Sequence, residues 1–100
     1  MAAYNLRVRV FQITGKCPIY RKNDSFSIEE GFILKNPNAS SICLHSLLSL
    51  IPYYVALSHG VRPASLGLNK ADENKAYAQC LDPCKFTGGG TVVFEVEVLE

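Results

Sequence analysis

Two segments far apart in the chain show the same alternation of apolar and other side chains. Residues 6–13 and residues 92–99 each place a β-branched or other apolar residue at every second position. A period of two with such residues predicts β-strands that each bury one face. If the two strands are antiparallel neighbours, Arg7 and Arg9 can face Glu95 and Glu97 on the solvated side and help to set the register. The alternation also places Ile13 on the face of the arginines.

The segment between these strands contains a predicted hairpin. Residues 25–28 alternate serine with apolar side chains, Glu30 and Gly31 offer a turn, and residues 32–34 are apolar again. Two short runs of strand-forming residues around such a turn are typical of a β-hairpin.

A helix is predicted to follow, over the apolar stretch of residues 42–57. Ser40 or Ser41 stands where a serine hydroxyl can cap the first turn. The stretch is apolar around most of a helix circumference, so we expect the helix to be largely buried against a sheet. Pro52 predicts a kink or a short break, and Gly60 is a natural stop.

The remaining segments complete an α+β prediction. We expect a loop with one helical turn over residues 62–75, a short strand over residues 76–80, and turns at Asp82-Pro83 and at the flexible glycines 88–90. The sequence therefore predicts one domain, residues 1–100, with an antiparallel sheet of four to five strands. One main, Pro-kinked helix packs on one face of that sheet.

Composition narrows the classes of function. With 48% hydrophobic and 19% charged residues, the chain can bury a core, and a formal charge of +1 is too small for strong attraction to nucleic acid. The N-terminal segment lacks an apolar signal region, and the longest apolar stretch falls short of the roughly 20 residues that cross a bilayer. We expect a cytoplasmic protein that binds no nucleic acid and no membrane, with no cofactor. A homo-oligomer formed through an edge strand is an open alternative.

Several motifs resemble a family of small uncharacterised archaeal and bacterial proteins. The matching segments are Gly15-Lys16-Cys17-Pro18, Asp24-x-Phe26, Cys43 ahead of an apolar helix, and Cys80-Leu81-Asp82-Pro83 ahead of the last strand. The family often has glycine where Asn23 stands and proline where Leu81 stands, and Cys84 is an addition. The resemblance implies this fold and three shared cysteines, Cys17, Cys43 and Cys80. It implies no reaction, because the family has no established activity.

The four cysteines, Cys17, Cys43, Cys80 and Cys84, are candidates for intramolecular disulfides. Four cysteines allow three connectivities, and the cytoplasm of hyperthermophiles is the recognised exception to reduced intracellular thiols. A bridge between Cys17 and Cys43 would close a long loop and contribute about 3 kcal/mol in the chain-entropy model. A bridge between Cys80 and Cys84 would cross-link only the short turn between these two residues.

Two further interpretations of the cysteines stay open. Lys16, Arg21 and Lys22 surround Cys17 in sequence, and cations near a thiol favour the reactive thiolate. The cysteine spacing is poor for zinc. His45, two residues after Cys43, is expected on another helix face. We predict no metal ligands and no catalytic residues, and we leave open whether the chain is an enzyme.

The leading hypothesis is a structural or interaction module that intramolecular disulfides stabilise. The alternative is a thiol-based redox or metal-binding protein that uses Cys17, Cys43 and Cys80. We expect surface charges, and no acid/base pair, at Asp72, Glu73, Asp82, Glu95 and Glu97.

Overall fold

The protein is a five-stranded antiparallel sheet with helices packed against it, as the α+β prediction stated. The computed structural model describes residues 3–36 and 41–100. The strands lie in the order β3-β2-β1-β5-β4. The elements along the chain are β1 (Asn5–Gly15), β2 (Ser25–Glu29), β3 (Ile33–Lys35), α1 (Leu44–Leu50), α2 (Tyr54–Ser58), a 3₁₀ helix (Pro63–Leu66), β4 (Lys75–Gln79), α3 (Cys84–Thr87) and β5 (Gly90–Leu99).

The central pair of strands, β1 and β5, confirms the predicted antiparallel pairing. Arg7 lies opposite Glu97 and Arg9 lies opposite Glu95, with the paired charged atoms 3.4 and 3.1 Å apart. Alternate apolar residues of both strands, such as Val8 and Phe94, point to the other face of the sheet and form the core with the helices. On the outer face, Glu95 is only 6% exposed, so the expectation of a surface charge there is wrong. Opposite charges across neighbouring strands therefore help to set the register on the outer face.

A β-bulge in β1 overturns the prediction for Ile13. The register shifts between Val10 and Gln12, which inserts one extra residue at Phe11. An extra residue reverses the alternation beyond it. Ile13 consequently pairs with the buried Val92 and packs against the core instead of joining the arginines.

The predicted hairpin is confirmed as β2 and β3, which form one edge of the sheet. Ile28 lies opposite Leu34. The turn between them uses two residues with positive φ, Glu30 at 56° and Gly31 at 87°. Gly31 is suited to this backbone conformation because it has no Cβ.

The predicted main helix is broken in two. Helix α1 ends at Leu50 and α2 begins at Tyr54, with a turn at Pro52 that confirms the expected break. The expectation that this segment is largely buried is wrong, since Leu44 is 67% exposed and Ile51 is 53% exposed. Each short helix turns only one side to the sheet, so the apolar residues on its other sides remain in solvent.

The predicted cap of this helix is also wrong. Helix α1 begins at Leu44, so Cys43 occupies the N-cap position and makes no side-chain cap hydrogen bond. Ser41 lies before the cap, and Ser40 falls outside the described residues. The predicted stop is consistent with the structure, because Gly60 has a φ of +91° just after the end of α2.

The last third of the chain brings the second edge strand into place. The 3₁₀ helix supplies the expected helical turn, and β4 confirms the short strand. The one-turn helix α3 between β4 and β5 was not predicted. No helix within residues 3–36 and 41–100 is long and apolar enough to span a membrane.

Candidate functional site

Three cysteines from distant parts of the chain line one cleft. Cys17 lies in the loop after β1, Cys43 directly precedes α1, and Cys80 directly follows β4. The cleft has a volume of about 110 Å³, and Tyr20, His45 and further side chains complete its wall. These are the three cysteines that the family resemblance implied.

The position of Cys17 depends on a close backbone approach to β5. The Lys16 N–H donates to the Gly89 carbonyl at 3.2 Å, which holds the loop against the start of that strand. A Cβ on Gly90 would lie 2.5 Å from the backbone nitrogen of Cys17, which is closer than real contacts allow. Only glycine therefore fits at position 90. The sequence prediction of a merely flexible turn missed this role.

The Cys17 sulfur also receives a backbone hydrogen bond. The Tyr20 N–H donates to Cys17 Sγ at 3.4 Å. The Cys17 residue is partly exposed, so its thiol is sheltered on one side and open to the cleft on the other.

Cys80 is the buried thiol of the three, with 7% of its surface exposed. Its N–H donates to the Val92 carbonyl at 2.9 Å, and the Val92 N–H donates to Cys80 Sγ at 3.2 Å. Its S–H points to the Gly90 carbonyl at 3.7 Å. The sulfur thus replaces a backbone carbonyl as acceptor at the end of the β4–β5 ladder. Gly90 touches both Cys17 and Cys80.

A buried polar network fixes Cys43 relative to the Cys17 loop. The Cys43 N–H donates to the Tyr20 hydroxyl oxygen at 2.9 Å, and the Tyr20 hydroxyl lies 2.7 Å from Ser46 Oγ. The Ser46 hydroxyl donates to the Cys43 carbonyl at 2.6 Å, so the Tyr20 hydroxyl donates to Ser46. Burial raises the pKa of Tyr20, and the phenol stays protonated. Sequence reasoning missed Tyr20, for which no local motif gave a signal.

Two further residues of the sequence analysis, Asp82 and His45, line the cleft. Asp82, expected to be a surface charge, is partly exposed, and its carboxylate accepts a hydrogen bond from the Thr87 hydroxyl. His45 was expected to point away from Cys43, yet both line the cleft. Helical spacing does not apply to this pair, because Cys43 lies before the first residue of α1.

The other predicted site residues lie outside the cleft lining. Cys84 sits on α3 beside Gly15, where a Cβ added to the glycine would be 3.3 Å from the Cys84 Cβ. Lys16, Arg21 and Lys22 are exposed. Their predicted influence on the Cys17 thiol stays a prediction.

The arrangement offers thiol chemistry. All four cysteines lie within the described residues and carry free thiols. Among residues 3–36 and 41–100, no three His, Cys, Asp or Glu side chains are placed to hold one metal ion. Three thiols line one cleft, and backbone N–H groups point at two of the sulfurs. Comparisons of the chain with family models, with curated proteins and with solved structures give no match.

Proposed function

We propose that this protein is a thiol redox protein that exchanges electrons with disulfides at the cleft of Cys17, Cys43 and Cys80. The observation that supports the proposal is the convergence of three thiols from separate segments on one small cleft. Three of the four cysteines of the chain line the cleft, and the fourth, Cys84 on α3, does not. The proposal places the protein in the cytoplasm, where thiols are kept reduced between reaction cycles.

The proposed reaction is two successive thiol–disulfide exchanges. The thiolate of Cys17 attacks one sulfur of a substrate disulfide, forms a mixed disulfide and expels the first substrate thiolate. A second cleft thiolate, from Cys43 or Cys80, then attacks the Cys17 sulfur and expels the other. The two substrate sulfurs are reduced and take up the two protons that the protein thiols lose. The protein is left with one disulfide, which a thiol reductant returns to two thiols.

The roles within the cleft follow from exposure. Cys17 is partly exposed and Cys80 is buried, so a substrate reaches Cys17 first and Cys80 is the more sheltered partner. The His45 imidazole also lies in the wall of the cleft. Access and thiolate formation together control the rate of such an attack.

The experiment that tests the proposal counts free thiols. Reduced protein is incubated in glutathione mixtures of increasing oxidised fraction, quenched with acid, alkylated in denaturant and weighed as an intact protein. We expect two of the four thiols to be lost together and recovered when reduced glutathione is restored. In the Cys17→Ser variant this reversible loss should disappear, and the matched Cys84→Ser variant should keep it. Reversible loss of two thiols in Cys17→Ser, or its absence from Cys84→Ser, would contradict the proposal.

A second candidate is the structural or interaction module with permanent disulfides. The burial of Cys80 favours it, because a sheltered cross-link resists reduction. The exposed apolar Phe32 and Leu34 at the β3 edge favour an interaction role, including self-association through that edge. A permanent disulfide would need an oxidising compartment or a hyperthermophile host. In the experiment above it would appear as two thiols that reduced glutathione fails to restore.

A further inference from the structure

A second groove lies beside the thiol cleft, along the edge strand β4. It has a volume of about 360 Å³, within the range of known ligand pockets, and Leu48, Tyr53, Leu68, Gln79 and Leu81 are among its lining residues. Leu48 and Leu81 in its wall are 45% and 58% exposed. The groove is therefore open and largely apolar.

The groove and the thiol cleft are neighbours along the same backbone. Leu81 in the groove lies between Cys80 and Asp82 of the cleft. On the other wall, α1 contributes Ser49 to the groove and Ser46 to the cleft. The groove therefore lies next to the thiol cleft.

The edge of β4 presents unpaired backbone groups to this groove. The Cys80 N–H is used toward β5, whereas the Tyr77 N–H points away from β5 and donates to the Leu68 carbonyl at 2.9 Å. In an antiparallel strand the direction alternates, so the N–H and the carbonyl of Gln79 also point outward. No described residue is hydrogen-bonded to the Gln79 backbone. Loop 68–74 covers only the first part of this edge.

We infer that the groove binds an extended polypeptide, which adds as a strand beside Gln79 and delivers its disulfide to the thiol cleft. An added strand would pair with the free backbone groups of Gln79, and its alternate side chains would enter the apolar groove. A residue of that strand opposite Cys80 would occupy a non-hydrogen-bonded position, where Cα atoms are about 4.5 Å apart. A peptide disulfide at this position would lie beside the cleft, where Cys17 is the thiol that attacks it and Cys80 is the sheltered partner. The inference rests on the proposed function and names its substrate class as polypeptide disulfides.

The test measures binding without any thiol exchange. The probe is a fluorescein-labelled, cysteine-free ten-residue peptide of alternating valine and threonine, and its anisotropy is followed as reduced protein is added. The Gln79→Pro substitution removes the outward N–H and leaves the hydrogen bonds between β4 and β5 intact. Edge strands tolerate proline at such a position. We expect Gln79→Pro to bind the peptide about tenfold more weakly, because one backbone hydrogen bond to the peptide is lost and the peptide is less well aligned. The matched Gln79→Ala variant keeps the N–H and should bind as the natural chain does.

Leu81→Asp provides a second variant in case proline disturbs the fold. It places a charge in the groove at an exposed position, and we expect about tenfold weaker binding there as well. Equal binding by the natural chain, Gln79→Pro and Leu81→Asp, each with an unchanged circular dichroism spectrum, would overturn the inference. Self-association that Gln79→Pro abolishes would show that a second copy fills the groove and would also overturn it. The thiol count in glutathione can fail or succeed independently of either result.

Discussion

Removal of the Tyr20 hydroxyl is the sharpest test of how the cleft is held together. The Tyr20→Phe variant keeps the ring and its edge-to-face contact with Phe94 at 5.6 Å. It loses the hydrogen bond from the Cys43 N–H and the bond to Ser46. Ser46 still donates to the Cys43 carbonyl, so the main group left unpaired is the Cys43 N–H. The variant therefore separates the polar network from the packing.

The expected loss follows from these two bonds. An unpaired buried donor costs about 1–3 kcal/mol, so we expect Tyr20→Phe to lower the free energy of unfolding by about 2 kcal/mol. For a domain of this size the same change lowers Tm by about 8–16 °C. The assay is urea unfolding followed by circular dichroism, with reductant present so that no disulfide contributes.

Tyr77→Phe is the matched control for this experiment. The Tyr77 hydroxyl donates to Glu95 at 3.1 Å, and the Glu95 carboxylate keeps Arg9 and Lys75 as partners when that hydroxyl is removed. We expect its removal to cost about 1 kcal/mol or less. A loss below about 0.5 kcal/mol in Tyr20→Phe, or an equal loss in both variants, would refute the reasoning that the buried network supports the cleft.

Three further predictions concern the alkaline limit of stability, the glycine at the cleft and the outer face. Burial raises the pKa of Tyr20 above its ordinary value of 10.0, so the stability that the neutral phenol contributes is present below pH 10 and is lost as the pH rises through the folded-state pKa. Urea titrations at about pH 9 and pH 11 should show a smaller alkaline loss in Tyr20→Phe than in the natural chain, and an equal loss would contradict this cause. Gly90→Ala should destabilise the fold by about 2–3 kcal/mol, because the added Cβ pushes the Cys17 backbone away. The same change should raise the alkylation rate of Cys17 in native buffer, and an unchanged rate would count against that contact. Arg9→Ala should lower the free energy of unfolding by about 1–3 kcal/mol, because it removes the closest cation from the buried Glu95. Arg7→Ala should lower it by less than about 1 kcal/mol in the same urea assay, because its partner Glu97 is more exposed. A larger loss in Arg7→Ala than in Arg9→Ala would contradict this difference in burial.

The strands were predictable because period-two patterns report one buried face directly. Arg9 and Glu95 could be placed opposite each other from sequence alone, since register follows from pattern and charge. The bulge at Phe11 was not predictable, because an extra residue leaves the composition of a strand unchanged. The exposure of Leu44 and Ile51 was missed because apolar content was taken as burial, although helix length decides how much surface a sheet can cover.

The cleft was only partly predictable. The resemblance singled out the three cysteines, but spacing carries no information on whether Cys17, Cys43 and Cys80 converge. That convergence depends on tertiary contacts, such as the close approach at Gly90 and the buried hydroxyl of Tyr20. Neither contact leaves a local sequence pattern, and both became visible only once the strands and the helix were packed.

The most direct test of the central claim is the reduction potential of the cleft thiols. Protein equilibrated with glutathione buffers of known potential is quenched, alkylated and scored for the fraction with two thiols lost. We predict one two-electron transition at about −180 to −270 mV, within the range of known thiol redox proteins, and no transition in Cys17→Ser. A potential below about −300 mV would identify a permanent structural disulfide, and no transition at all would contradict disulfide chemistry in the cleft.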